Sequence, residues 1–234
     1  MANSSIYNTI FKINNKKGGS NPDFYKLLDE KKYFLGKVFS NLIFQLLVTF
    51  IIAFNVKTHD LLENKIYFWG LIIATFVIII ILSMMQLPPF IKFILFTIFS
   101  IIWGLLLSKI KETKSPEIIK TALVSTLSIF ISMFVAGLLI TSFGIQLGYK
   151  FGMFLLGLLI LVIIVRIVTL FMGNYSTYNK GIAIFTILLF SVFIIYDTNM
   201  ILRRDYFGDF ITASIDYYLD ILNIFVNMIA GQSS

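Results

Sequence analysis

Gly181-Ile182-Ala183-Ile184-Phe185-Thr186-Ile187-Leu188-Leu189-Phe190-Ser191-Val192-Phe193-Ile194-Ile195-Tyr196-Asp197-Thr198-Asn199-Met200-Ile201-Leu202 is an apolar run that carries one charge, Asp197, and stops at Arg203-Arg204. As a helix rising 1.5 Å per residue it is about 33 Å long. That matches a bilayer hydrocarbon core of roughly 30 Å. The run is too long and too apolar for a surface helix of a soluble domain, so it predicts a membrane crossing. Asp197 lies six residues before Arg203, roughly 9 Å inside that end.

Similar blocks recur on both sides. The spans expected are Leu35–Val56, Ile66–Leu87, Phe90–Ile110, Ile118–Ile140, Tyr149–Phe171, Gly181–Leu202 and Phe210–Ala230. The connections between them are short, so neighbours should pack antiparallel in one bundle. The fold class expected is all-α: a multi-pass, seven-helix membrane bundle. Its last helix is read as short, polar-striped and open to being re-entrant. Residues 1–32 read as a polar, basic, cytosolic and mobile leader, with a loop at Gly18-Gly19-Ser20-Asn21-Pro22. Residues 33–234 read as a single transmembrane helical domain.

Composition agrees. Hydrophobic residues make up 58% and charged residues 13% of the 234, against about 45–50% and 25% in soluble domains. The net charge of +7 does not signal nucleic acid, because much of it precedes the first span. Lys12, Lys16, Lys17, Lys26, Lys31, Lys32 and Lys37 stand there against Asp23, Asp29 and Glu30. A basic leader of this kind holds the N-terminus in the cytosol. Lys92, Lys150, Arg203 and Arg204 then fall on the same side. Lys57, Lys65, Lys109, Lys111, Lys114, Lys120 and Lys180 fall opposite, a bias of eleven to seven that the positive-inside rule favours. The leader is too long and polar for a cleaved signal peptide. The absence of cysteine excludes disulfides and thiolate chemistry.

Enzyme chemistry finds no support. The single histidine, His59, sits between the first two spans, so no intramembrane Ser–His pair or histidine metal cluster is available. Leu219-Asp220-Ile221 lacks the glycine that an aspartyl-protease motif needs, and no lysine follows Lys180 to hold a retinal.

Polar and small residues also fall in stripes. Asn41, Gln45 and Thr49 share one face of the first helix. Thr121, Ser125, Ser128 and Ser132 share one face of the fourth, and Gly144, Gly148 and Gly152 lead into the fifth. Each stripe predicts close helix packing in lipid.

The last segment carries the other acids, Asp216 and Asp220. They are four residues apart and so share a face, which Thr212, Asn223 and Asn227 extend. An aspartate at mid-membrane costs about 2.5–3.5 kcal/mol on the mild insertion scale. These acids must therefore face the bundle interior, a cavity or water. The alternative is an interfacial helix with its acids in solvent. Two carboxyls brought together without water share a proton, because both cannot ionise cheaply. When ionised, oxygen-only ligands suit a hard cation such as calcium. Asp197 and Asp220, helped by the Asn223 amide oxygen, would make a weak, partial site. Counting depth from Asp209 puts Asp216 about 10 Å and Asp220 about 16 Å inside, which pairs Asp197 with Asp216. Starting the helix near Thr212 brings Asp220 to about 12 Å and favours that acid instead.

Tyr196-Asp197-Thr198, followed by Asp216-Tyr217-Tyr218-Leu219-Asp220-Ile221-Leu222-Asn223-Ile224-Phe225, resembles the C-terminal signature of the transmembrane Bax inhibitor motif family. Lys37-Val38-Phe39 with Gln45-Leu46-Leu47-Val48-Thr49 is similar to that family's first-span pattern. The resemblance implies seven helices and a pH-regulated calcium leak gated by Asp197 and Asp220, with Asp216, Asn223 and Asn227 as an auxiliary polar stripe. It implies suppression of cell death in eukaryotes and some viruses. It places the chain in an endoplasmic reticulum or Golgi type membrane there, or in the plasma membrane of a bacterium. The expected partners are the lipid bilayer, calcium, protons and cell-death regulatory proteins, with no cofactor beyond weakly bound calcium. The second function weighed is a membrane scaffold that regulates apoptosis through partners, without transport. Two features depart from the family pattern. The second span has no Arg or Lys to approach the acids, and Gly231-Gln232-Ser233-Ser234 lacks the basic tail of some relatives; Arg166, near the other end of the fifth span, is no substitute and reads as snorkelling to the interface.

Overall fold

The computed structural model describes residues 22–57, 62–171 and 175–232. These form seven helices: α1 (Pro22–Asn55), α2 (Lys65–Met84), α3 (Pro89–Thr113), α4 (Pro116–Ser142), α5 (Tyr149–Phe171), α6 (Tyr175–Arg203) and α7 (Phe210–Gly231). No strand occurs among the described residues. Helix starts follow local chemistry. Asn64 accepts from the Ile66 amide at 2.9 Å, Ser115 precedes Pro116 and accepts from Ile118, and Asp209 accepts from Thr212. Each cap satisfies an amide that the first turn leaves unpaired.

Two boundaries differ from the sequence reading. α1 extends back to Pro22, so residues 22–32 of the expected leader are helical and continuous with the first span. Good helix formers (Leu27, Leu28, Glu30, Lys31 and Lys32) carry the helix into the polar stretch. α6 begins at Tyr175 rather than Gly181. The Gly18–Pro22 loop, apart from Pro22 itself, and His59 lie outside the described residues.

Six helices, α1 to α6, are long and apolar enough to cross a membrane. The protein is therefore a multi-pass integral membrane protein. α7 differs because it is enclosed. It packs against α6, α1, α4 and α3 and buries Ile211, Tyr217, Tyr218, Leu222, Ile224 and Phe225. This overturns the interfacial alternative. α7 is also uninterrupted over its 22 residues, about 33 Å at the helical rise, so its length suffices to cross. α2 and α5 sit at the perimeter, where only 11% of each apolar window is buried, leaving Ile73, Phe76, Ile163 and Ile164 exposed as a lipid-facing surface.

The packing stripes split. Asn41, Gln45 and Thr49 are buried, as expected. The Thr121, Ser125, Ser128 and Ser132 stripe is not a packing face: Thr121, Ser128 and Ser132 are exposed and Ser125 is half-buried. α4 instead packs through Ile119, Ala122, Thr126, Phe130, Gly137 and Thr141. These include the residues that bring its backbone close to α6: a side chain at Gly137 would place its Cβ 2.6 Å from Thr198 Cβ. Ser128 needs no neighbouring helix, since its hydroxyl donates to Val124 O at 2.8 Å. Of the glycine run, Gly152 packs against Tyr196, Gly148 meets nothing within 4 Å, and Gly144 turns the chain at φ 79°.

Candidate functional site

The link between α6 and α7 reverses the chain through Phe207 and Gly208, at φ 50° and 82°. It lays α7 antiparallel against α6. Asp197 on α6 and Asp220 on α7 then face one another, their carboxyl groups near enough to interact directly. Asp220 is buried at 3% exposure and Asp197 is half-buried. Asp220 Oδ2 receives no donor from any hydroxyl, amide or ammonium group among the described residues. A carboxyl–carboxyl hydrogen bond needs a proton between the two groups.

Asp216 lies within electrostatic reach of both acids. Depth counting from the helix ends assumes that the ends are level. Asp197 is six residues from the end of α6, whereas Asp220 is ten from the start of α7. Their meeting puts the start of α7 about 6 Å beyond the end of α6.

The rest of the polar stripe points to other work. Asn223 Nδ2 donates to Leu219 O at 2.8 Å, within its own helix. Asn227 accepts from the Arg166 guanidinium and donates to Asn223 O. Arg166 therefore turns inward, also reaching Thr186 Oγ1 at 3.5 Å, and ties α5, α6 and α7 together far from the acids. The snorkelling expectation fails because Asn227 offers a buried acceptor.

Several residues that hold the site were not assigned to it by sequence reading. Tyr217, beside Asp216, shares a hydrogen bond with Thr198 at 2.9 Å, beside Asp197. Its ring packs against Phe39, Phe130 and Phe134. Tyr218 faces the other way and shares a 2.5 Å hydrogen bond with Thr49, which donates to Ser100 O at 3.0 Å. Asn41 Nδ2 donates to Ser214 Oγ at 2.6 Å. The first turn of α7 is clamped by Lys92, buried at 8% exposure, which donates to the Asp209 carboxylate and to Thr212 Oγ1. Burial alone would raise the Asp209 carboxyl, but hydrogen bonds from Lys92 and Thr212 outweigh it and hold the group below the usual carboxylate range. The Asp209-x-x-Thr212 spacing before an apolar run is a legible N-cap signal. Nothing local in the sequence marks Lys92 as its partner.

A resident calcium ion takes about six to eight oxygens. This arrangement brings two carboxyls together, and no group of three or more His, Cys, Asp or Glu able to hold a metal occurs among the described residues. The geometry is that of two carboxyls facing one another between neighbouring helices.

Comparison with known proteins places this arrangement in context. Residues 31–230 match the family model described as inhibitor of apoptosis-promoting Bax1. The chain is 26% identical to Protein LIFEGUARD 3 of Arabidopsis thaliana, over 84% of this chain and 82% of that protein. It is 28% identical to Bax inhibitor 1 of Schizosaccharomyces pombe, over 84% of this chain and 74% of that one. A shorter stretch is 35% identical to an uncharacterized membrane protein of Vibrio cholerae, over 33% of this chain and 34% of the other.

Proposed function

The chain belongs to the family of inhibitors of apoptosis-promoting Bax1, and from that premise we propose that it suppresses cell death as a membrane protein that leaks cations, calcium among them, under the control of Asp197 and Asp220. The observation that supports the reading is the approach of the two carboxyls to one another between α6 and α7, inside an otherwise apolar bundle. With one proton between them the groups attract and hold the two helices together. When that proton leaves, two negative charges face each other in a poorly solvated place and repel. α7 is held near its start by Lys92 and near its end by Arg166, so the repulsion acts on the stretch between these ties. The parted carboxylates then offer oxygens to a passing hard cation.

The test is calcium flux into liposomes holding the purified chain, measured across pH. Wild type passes more calcium as pH rises through the loss of the shared proton. Asp197→Asn and Asp220→Asn each abolish that pH dependence, because a carboxamide cannot gain a negative charge. Unchanged flux and an unchanged pH profile in both variants would overturn the leak reading. If both variants lose flux but still protect cells, the scaffold reading takes its place.

A further inference from the structure

A groove of about 610 Å³ opens on the outside of the bundle at the end where α1 enters, α3 begins and α7 begins. Its volume falls within the roughly 300–1,000 Å³ of ligand sites. Lys32, Lys37 and Ser40 of α1 form its polar side; Phe44 of α1, Phe93 of α3 and Phe210 of α7 form its apolar side. No Asp or Glu lines it among the described residues. Lys32 pairs with Asp29 at 2.8 Å, one turn away, so Lys37 is the main source of positive charge.

The two sides are ordered along the helix. Phe44 follows Lys37 by seven residues, about 10 Å deeper. Phe44 and Phe93 stack at 5.5 Å as a floor below the lysines. Asn41, 5% exposed, belongs to the inner wall, and its Oδ1 receives no donor among the described residues. The groove is open at Gly36, where a Cβ would meet nothing within 4 Å.

We infer that this groove holds one anionic glycerophospholipid of the surrounding membrane. Charge complementarity and depth select this occupant. The phosphate meets Lys37 and Lys32, and an acyl chain lies against Phe44, Phe93 and Phe210. Lysines beside the membrane surface favour anionic lipid, and their apolar stems lie comfortably on the aromatic floor. The inference does not depend on cation transport.

Native mass spectrometry of the full chain in detergent, titrated with phosphatidylglycerol or phosphatidylcholine of the same acyl composition, tests it. Wild type binds one phosphatidylglycerol at least about tenfold more tightly than phosphatidylcholine. The exposed pair Lys32→Gln with Lys37→Gln removes that preference, whereas Lys114→Gln with Lys120→Gln, equal in charge but at the other end of the bundle, keeps it. Gly36→Trp fills the groove and removes the tight phosphatidylglycerol site. Equal affinity for both lipids in wild type would overturn the inference, as would a preference that survives either the Lys32/Lys37 change or Gly36→Trp.

Discussion

Asp209 is the acid whose protonation the structure ties most directly to the stability of the fold. Its carboxylate caps α7 and accepts from buried Lys92. Its folded pKa lies below the unfolded value near 3.9. The stabilisation is therefore complete above that value and is lost as pH falls through the lower folded one. Asp209→Asn should cost about 1.5–3 kcal/mol at neutral pH, the range for a hydrogen bond to a charged group. In thermal unfolding of the detergent-solubilised protein, the gap between wild type and variant should narrow below about pH 4. A gap constant from pH 7 to pH 3 would contradict the assignment. Asp197 and Asp220 were legible in the sequence because a charge inside an apolar run has to be explained. Lys92 was not, because a lysine beside Pro88-Pro89 at a helix start reads as an ordinary flanking cation. Tyr217 and Tyr218 read as two more aromatics until the backbone turns their hydroxyls toward Thr198 and Thr49.

At the level of helices, periodicity and block length placed the seven elements to within a few residues, except where α1 and α6 run on into polar sequence. The faces were harder to read. Thr121, Ser125, Ser128 and Ser132 have the spacing of a packing seam, but a hydroxyl bonded to its own helix is indifferent to its neighbour. Gly137 and Gly104 mark the real seams: a Cβ at Gly104 would fall 2.7 Å from Thr49 O, and one at Gly137 3.1 Å from Ile195 O. Gly137→Ala should therefore force α4 away from α6 and lower stability by about 1–3 kcal/mol. Gly157→Ala on α5, where a Cβ meets nothing within 4 Å, should be neutral or stabilising by up to about 1 kcal/mol. Thermal unfolding of the two purified variants checks the contrast, and equal losses would refute it.

For the molecule as a whole, the charge bias predicts that the ends of α1, α3, α5 and α7 carrying Lys37, Lys92, Lys150 and Asp209 face the cytosol. Because the chain contains no cysteine, single substitutions report sidedness without background. An impermeant maleimide applied to the non-cytosolic face should label Lys114→Cys and reach Lys150→Cys only after permeabilisation; the reverse pattern would invert the orientation. The enclosure of α7 also has a consequence for how the molecule is made. Its neighbours α1, α3, α4 and α6 all precede it in the chain. About 28 residues separate the end of α6 from the end of α7, on the order of a few seconds of translation. During that interval the earlier helices hold a cleft lined by Thr49, Ser100 and Thr198 with no helix in it. The nascent bundle is then an open mould whose polar lining is exposed to lipid and to membrane chaperones, and it closes when its own last helix arrives.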